Sequence, residues 1–213
     1  MSDGTEAAPD LGPELAALAA ATPFPDGERK RLKRRRWILN RLSPGGIGAE
    51  IGVFRGHFTD LICEVAAPSK LYLVDPWGKM GETFGWGREY TNFGALRTAD
   101  ARREAELRAA RWGTGEVVVI EDHYPSCSDR IVDQLDWAYL DASHHYEATV
   151  QELDAIAAQV RPDGQILGDD WHAAPGHQHH GVFRAVQDFC RRTDWRIVAA
   201  GPGAQWCIRR YPA

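Results

Sequence analysis

The sequence has 213 residues, of which 44% are hydrophobic and 26% are charged, the proportions of a folded globular protein. Its net charge of −5 argues against an overall attraction to nucleic acid or to an anionic membrane and favours a small neutral or cationic ligand. The four cysteines form no CxxC pair, which argues against a zinc ribbon or a dithiol redox site. No apolar run reaches the roughly 20 residues of a membrane span, so we expect a cytoplasmic protein with reduced thiols.

The amino-terminal part divides into an expected leader and a basic segment. Residues 1–27 are predicted to form a flexible leader with one weak helix at Pro13–Ala21, and residues 28–213 a single domain. Glu28–Leu42 has helical apolar spacing and carries seven Lys or Arg residues between Arg29 and Arg36. Because the whole chain is acidic, we interpret this run as a solvated helix face that packs on the domain or on a second subunit, rather than as a phosphate or nucleic-acid site.

From Ile47 onward, short apolar segments alternate with helical ones. Five of them are predicted to be strands: Ile47–Val53, Leu71–Asp75, Val117–Asp122, Trp137–Ser143 and Gln165–Asp170. Helices are predicted at Phe58–Val65, His145–Val160 and Val182–Arg192, and a terminal hairpin at Arg196–Ala199 and Gln205–Arg209. This alternation predicts an α/β fold with a mostly parallel sheet and helices on both faces. Ligands of such sheets bind beyond the carboxyl ends of the strands.

The segment Pro76–Gly113 is too long for a simple crossover. It holds aromatic residues among glycines and then a charged helix at about 95–110. We therefore expect a lid-like insertion at about 78–113 that forms a substrate wall. The alternative is that its aromatic side chains fill the core.

The first strand runs into the turn Glu50–Gly56. Glycines at Gly52 and Gly56 would allow close approach of the backbone to a ligand, and the following helix offers free N–H groups. Phe54 stands where the dinucleotide fingerprint has its second glycine, which disfavours a nicotinamide cofactor.

Two acids end the next two strands. Asp75 is placed to accept hydrogen bonds from a ribose diol, with a turn-capping role as the alternative. Asp122 is placed to meet an adenine edge, with a surface turn as the alternative.

A third group of acids, Asp141, Asp169 and Asp170, ends the fourth and fifth strands. Neighbouring strands lie about 4.8 Å apart, so the three carboxylates should converge and need a shared proton or cation. A divalent ion such as Mg²⁺ meets that need; a capped turn with solvated acids is the alternative.

Histidines surround these acids. His172 is our first candidate for a general base and His144 the second, because an imidazole can accept a proton near neutral pH; a structural role for either histidine is the alternative. The group His177, His179 and His180 could bind zinc, but its glycine-flanked position favours a surface loop or mobile flap.

Five blocks between Ile47 and Phe189 resemble the class I methyltransferases of the macrocin and mycinamicin sugar O-methyltransferase type. They are AEIGVFRGHFT, LYLVDPW, LDASHHYEATVQELD, RPDGQILGDDWH and HGVFRAVQDF. The resemblance implies a Rossmann-like sheet of seven strands and S-adenosylmethionine bound along Glu50–Gly56, Asp75 and Asp122. It also implies Mg²⁺ on Asp141, Asp169 and Asp170, and a base matching His172. Ala142-Ser143 departs from the Gly-Asp of the relatives, and the insertion matches no signature.

The sequence thus predicts a Mg²⁺-assisted O-methyltransferase that acts on a hydroxyl of a small, natural-product or sugar-like molecule. No nucleic-acid or membrane partner is expected, and a homo-oligomer is possible. Two alternatives remain open: a metal-dependent hydroxylase- or hydrolase-like enzyme on the same scaffold, and a non-catalytic module that binds a partner through the basic segment 28–42.

Overall fold

The computed structural model describes residues 10–113 and 115–211. Its strands are β1 (Ile47–Ile51), β2 (Lys70–Asp75), β3 (Glu116–Glu121), β4 (Leu135–Leu140), β5 (Val160–Gly168), β6 (Trp195–Gly201) and β7 (Gln205–Arg210). Its α-helices are α1 (Gly12–Ala21), α2 (Asp26–Arg35), α3 (His57–Ala66), α4 (Thr98–Ala110), α5 (Tyr146–Gln159) and α6 (His180–Arg192). Short 3₁₀ helices lie at Arg36–Arg41, Trp77–Met80, Asn92–Gly94, Ser128–Arg130 and Pro202–Ala204.

The seven strands form one sheet in the order β3-β2-β1-β4-β5-β7-β6. Strands β1 to β5 pair in parallel, whereas β7 is antiparallel to both β5 and β6. The predicted α/β fold with a mostly parallel seven-stranded sheet is therefore confirmed. From β1, the strands β2 and β3 are added on one side and β4 and β5 on the other, so the strand order reverses between β1 and β4. Ligands of such folds bind at the carboxyl ends of the two strands where this reversal occurs.

Both faces of the sheet are buried, which explains why its central strands are continuous apolar runs. On one face, Leu153 and Phe189 of α5 and α6 belong to one buried core with alternate strand residues such as Ile166. On the other, Phe58 and Ala105 of α3 and α4 pack against the remaining strand residues. Because the side chains of a strand alternate between the faces, each strand contributes to both cores.

The described part of the predicted leader is packed on the domain. Leu15 of α1 is only 1% exposed, and Glu14 forms a two-pronged ion pair with Arg103 of α4. Residues 10–27 therefore differ from the expected flexible leader, since α1 has an apolar surface to cover. Residues 1–9 of that prediction lie outside the described residues.

The basic segment and the insertion also differ from their predicted outlines. The single helix predicted at 28–42 divides into α2 and a 3₁₀ turn that begins at Arg36. Helix α4 of the insertion packs on α1 and α3, so it is the crossover helix between β2 and β3 rather than part of a lid. In the remaining loop, Phe84 is buried, as the core-filling interpretation predicts. Trp86 and Phe93 are 43% and 68% exposed, which agrees better with a substrate wall.

Of the helices in residues 10–113 and 115–211, none combines the length and the apolar composition needed to cross a membrane.

Candidate active site at the carboxyl edge of the sheet

The turn after β1 depends on its two predicted glycines. Gly52 has a φ of +88°, and a Cβ there would lie 2.1 Å from the Asp141 carbonyl oxygen. Gly56 has a φ of +70°, and a Cβ there would lie 2.7 Å from Cα of Ala105 in α4. Contacts with the protein's own backbone therefore already require both glycines, and their place beside a cofactor remains a prediction.

Glu50, near the end of β1, is buried rather than open to a cleft. Its side chain accepts a hydrogen bond of 2.5 Å from the Thr59 hydroxyl. Burial raises the pKa of Glu50 to about 8, because the charged form loses its hydration. The carboxyl group therefore carries a proton over most of the neutral range.

Asp75, at the end of β2, holds the glycine turn in place. Its Oδ2 accepts hydrogen bonds of 2.9 Å from the backbone N–H groups of Val53 and Phe54. Its Oδ1 accepts one of 3.0 Å from the N–H of Trp77. This is the turn role that we considered as the alternative, although Oδ1 keeps capacity for a further donor.

Asp122 follows β3 beside the end of β2, and its N–H donates to the Asp75 carbonyl at 3.1 Å. Its side chain lies 2.7 Å from the ammonium of Lys79 and is 25% exposed. The hydrogen bond from Lys79 lowers the pKa of Asp122. A negative charge therefore stands at this strand end, where the sequence predicts one.

The acids at the ends of β4 and β5 converge. Asp141, Asp169 and Asp170 each offer a carboxylate oxygen, and these oxygens lie within 4.8 Å of one another. Asp169 and Asp170 are 2% and 3% exposed. Such a cluster needs a compensating positive charge close by.

Two arginines of α2 supply that charge. Arg35 lies with Nη2 2.7 Å from Asp141 and Nη1 3.2 Å from Asp169, and it also donates to the Tyr139 hydroxyl at 2.6 Å. Arg31 donates to Oδ2 of Asp169. The basic segment is therefore not wholly solvated. Arg31 and Arg35 are four residues apart, so both guanidinium groups lie on one face of the helix. This spacing is the sequence signal that could have distinguished the two arginines from the other five basic residues.

The acid cluster does not fit Mg²⁺ in this arrangement. Oδ2 of Asp169 contacts both guanidinium groups, and its Oδ1 accepts a hydrogen bond of 2.5 Å from the Gln205 amide. Oδ2 of Asp141 is taken by Arg35. Mg²⁺ requires nearly octahedral oxygen ligands, so the two arginines hold the positions that such an ion would need.

Asp170 forms its shortest contacts with histidines, although Nη2 of Arg31 also lies 3.6 Å from its Oδ1. Its Oδ2 lies 2.7 Å from Nδ1 of His144, and its Oδ1 lies 2.9 Å from Nδ1 of His179 and 3.7 Å from Nε2 of His172. Burial opposes the charged form of Asp170, but the two nearer imidazoles outweigh it and hold its pKa below the ordinary value. The ring of His177 stacks on that of His172 at 3.5 Å. Both predicted base residues thus lie at the site, together with His179, for which the sequence favoured a surface loop.

A family model described as "Methyltransferase domain" matches residues 49–171, which is more than half of the chain. The chain belongs to this family. The resemblance of this methyltransferase to the class I enzymes is thereby confirmed, whereas the macrocin-type subfamily remains a prediction. No curated protein matches the methyltransferase sequence.

Several solved structures have the same fold as this methyltransferase, although their sequence identity to it is low. A Podospora anserina methyltransferase bound to S-adenosylhomocysteine (SAH) has a TM-score of 0.65 at 14% identity, over 98% of this chain and 91% of the other. A Bacillus cereus O-methyltransferase in complex with SAH has a TM-score of 0.57 at 15% identity, over 99% of this chain and 92% of the other. An rRNA methylase from Streptococcus thermophilus has a TM-score of 0.55 at 11% identity, over 83% of this chain and 94% of the other. Since proteins with different acceptors share this fold, the fold does not define the acceptor.

Proposed function

We propose that this methyltransferase transfers a methyl group from S-adenosylmethionine to a hydroxyl group of a small molecule. The observation that carries the proposal is the arrangement around Asp170: a buried carboxylate faces partly exposed imidazoles at the carboxyl edge of the sheet. Methyl transfer to a hydroxyl requires a group that removes its proton, and imidazole does so near neutral pH.

The methyl donor is proposed to lie along the turn Glu50–Gly56. The two solved neighbours bound to SAH, the demethylated form of this donor, support the choice. In this chain, the free acceptor capacity of Asp75 Oδ1 suits a ribose hydroxyl, and Asp122 stands where the adenine would lie. When bound, S-adenosylmethionine would supply a methyl group on a sulfonium centre, and the neutral thioether SAH would be the leaving group.

The proton acceptor is assigned to His172. Its side chain is 31% exposed, and its Nε2 stands 3.7 Å from Asp170, so it is less closely bound to the carboxylate than His144 at 2.7 Å. Burial and the neighbouring His177 lower the pKa of His172, which keeps the imidazole neutral and able to accept a proton at neutral pH. His144 remains the second candidate.

The proposal assigns no step to Mg²⁺, although the resemblance implies that ion. Arg31 and Arg35 already balance the acids that were expected to bind it. The same contacts weigh against the binding-module alternative, because two of the seven basic side chains point into the site. The net charge of −5 favours a small acceptor over a nucleic acid.

The test combines calorimetry with a transfer assay. We expect S-adenosylmethionine and SAH to bind the full chain, and labelled methyl to appear on members of a panel of sugars, phenols and other hydroxyl compounds. His172→Ala should bind the donor normally but turn over about 10² to 10⁴ times more slowly. His145→Ala is the matched control, because that histidine is exposed.

Two outcomes would contradict different parts of the proposal. Absence of donor binding would refute the choice of S-adenosylmethionine. Equal turnover of the His172→Ala and His145→Ala variants would refute the assignment of the base.

A further inference from the structure

Three side chains from separate loops meet on the histidine side of the acid cluster. His144 follows β4, Asp170 follows β5, and His179 precedes α6. Each offers one metal-ligand atom, and these three atoms lie within 4.8 Å of one another. The rings of His144 and His179 are stacked, with centroids 4.2 Å apart and an interplanar angle of 15°. Two nearly parallel imidazoles thus present their Nδ1 atoms to the same carboxylate.

These close contacts do not satisfy the atoms involved. Oδ2 of Asp170 and Nδ1 of His179 are buried. They lie 2.7 Å from Nδ1 of His144 and 2.9 Å from Oδ1 of Asp170, respectively, but neither forms a hydrogen bond of good geometry with the described residues. The side chain of Asp170 is only 4% exposed, so water in bulk solvent does not compensate it. Buried polar atoms in native proteins are nearly always paired. A cation placed between the carboxylate and the two ring nitrogens would be coordinated by both of these atoms at once.

We propose that His144, Asp170 and His179 bind a divalent transition-metal ion such as Zn²⁺. Two imidazole nitrogens and one carboxylate oxygen suit Zn²⁺, Co²⁺, Ni²⁺ or Fe²⁺, whereas Mg²⁺ prefers an all-oxygen site. The adjoining cavity, which Asp170 and His144 help to line, has room for about one water-sized group.

The position of the site follows from how the acids are shared. Arg31 and Arg35 form their shortest contacts with Asp169 and Asp141. Asp170 forms its shortest contacts with imidazole nitrogens, and Arg31 lies farther away, 3.6 Å from its Oδ1. This inference goes beyond the proposed methyl transfer, and metal binding can be measured without S-adenosylmethionine.

A second histidine group, His172, His177 and His179, also brings its ring nitrogens within 4.8 Å. It contains no carboxylate, and Nδ1 of His177 already accepts a hydrogen bond of 3.1 Å from the backbone N–H of His179. The group that contains Asp170 is therefore the better site, because it provides a negative charge that offsets the charge of the ion.

The experiment measures metal binding by the full chain, purified without a histidine tag and stripped with a chelator. After equilibrium dialysis against Zn²⁺, we expect about one ion per chain by elemental analysis. Bound Co²⁺ should give a visible absorption spectrum. His144→Ala and His179→Ala should weaken Zn²⁺ binding by on the order of 100-fold or more, since even residues outside the ligand shell contribute 10- to 100-fold.

Two control variants keep the proposal falsifiable. His145→Ala removes an exposed neighbouring imidazole and should bind Zn²⁺ like the original protein. His177→Ala should weaken binding by less than His179→Ala does. Circular dichroism verifies that each variant is folded.

Three results would overturn the inference. One is less than stoichiometric Zn²⁺ on the original protein, which would mean that protonated histidines simply pair with Asp170. Another is unchanged binding in a folded His179→Ala variant. The third is an equal loss in His177→Ala, which would move the ion to the other histidine group. Donor binding measured by calorimetry in chelator tests the proposed methyl transfer separately.

Discussion

Arg35 of helix α2 forms a salt bridge of 2.7 Å with Asp141 at the end of β4. Its side chain is 5% exposed, and its guanidinium lies 4.3 Å from the centre of the Phe58 ring. A helix outside the sheet thus provides a charge inside the candidate active site.

Replacement of Arg35 by Met should reduce the free energy of unfolding by about 3–5 kcal/mol, because it removes the buried one of the two cations that balance the acid cluster. Urea denaturation measures this loss. Arg34→Met is the matched control: that neighbour is exposed, and its replacement should change stability by less than about 0.5 kcal/mol.

Mg²⁺ should raise the melting temperature of the Arg35→Met variant more than that of the original protein. In the variant the acids Asp141 and Asp169 lose a competing guanidinium and become available to a hard cation. Thermal melts with and without Mg²⁺ test this. Equal stabilisation of both proteins would show that the arginines do not hold the magnesium position.

Gly52→Ala should destabilise the protein more than Gly45→Ala. Both glycines have similar φ angles, +88° for Gly52 and +86° for Gly45. A Cβ at Gly52 would lie 2.1 Å from the Asp141 carbonyl oxygen, whereas nothing lies within 4 Å of a Cβ at Gly45. Gly45→Ala should therefore cost only the left-handed backbone penalty of about 1–2 kcal/mol. Chemical denaturation of the two variants gives the comparison, and equal losses would mean that the strand ends move apart easily.

Two single variants, Asp75→Ala and Asp122→Ala, should distinguish a role in stabilising the glycine turn from a role in binding the methyl donor. Asp75→Ala removes the acceptor for three backbone N–H groups, so it should lower both stability, by about 1–3 kcal/mol or more, and affinity for S-adenosylmethionine. Asp122→Ala loses a partly exposed ion pair and should cost less than about 1 kcal/mol of stability, yet still weaken donor binding. Calorimetry decides: unchanged affinity in Asp122→Ala would remove that residue from the donor site.

Glu152 should make the protein less stable as the pH rises. It is 3% exposed, and burial raises its pKa from 4.5 to about 8. Between about pH 4.5 and 8, the folded carboxyl group holds a proton that the unfolded one has lost. The free energy of unfolding therefore falls with pH, by up to about 1.4 kcal/mol per unit for one proton.

Glu152→Gln should reduce that slope in urea denaturation at several pH values. Some slope should persist, since burial also raises the pKa of Glu50 to about 8. Glu147→Gln, at an exposed position of the same helix, should leave the slope unchanged. If Glu152→Gln has the original slope, then Glu152 is ionised in the folded protein.

The sequence by itself determined the sheet and the place of the candidate site. Buried parallel strands appear as short apolar runs, and helices as segments with a period near 3.6 residues, because both patterns depend on near neighbours in the chain. The convergence of Asp141, Asp169 and Asp170 also followed, since the carboxyl ends of neighbouring parallel strands lie at one edge.

The tertiary structure alone decided which partners these residues have. Arg31 meets Asp169 across 138 residues of sequence, and this contact exists only because α2 packs over the end of the sheet. The same holds for His179 beside Asp170, and for Asp75, whose oxygens bind the neighbouring turn. A charged side chain pairs with the groups that lie within a few ångströms of it in the folded protein. The spacing of residues in the sequence does not show which groups these are.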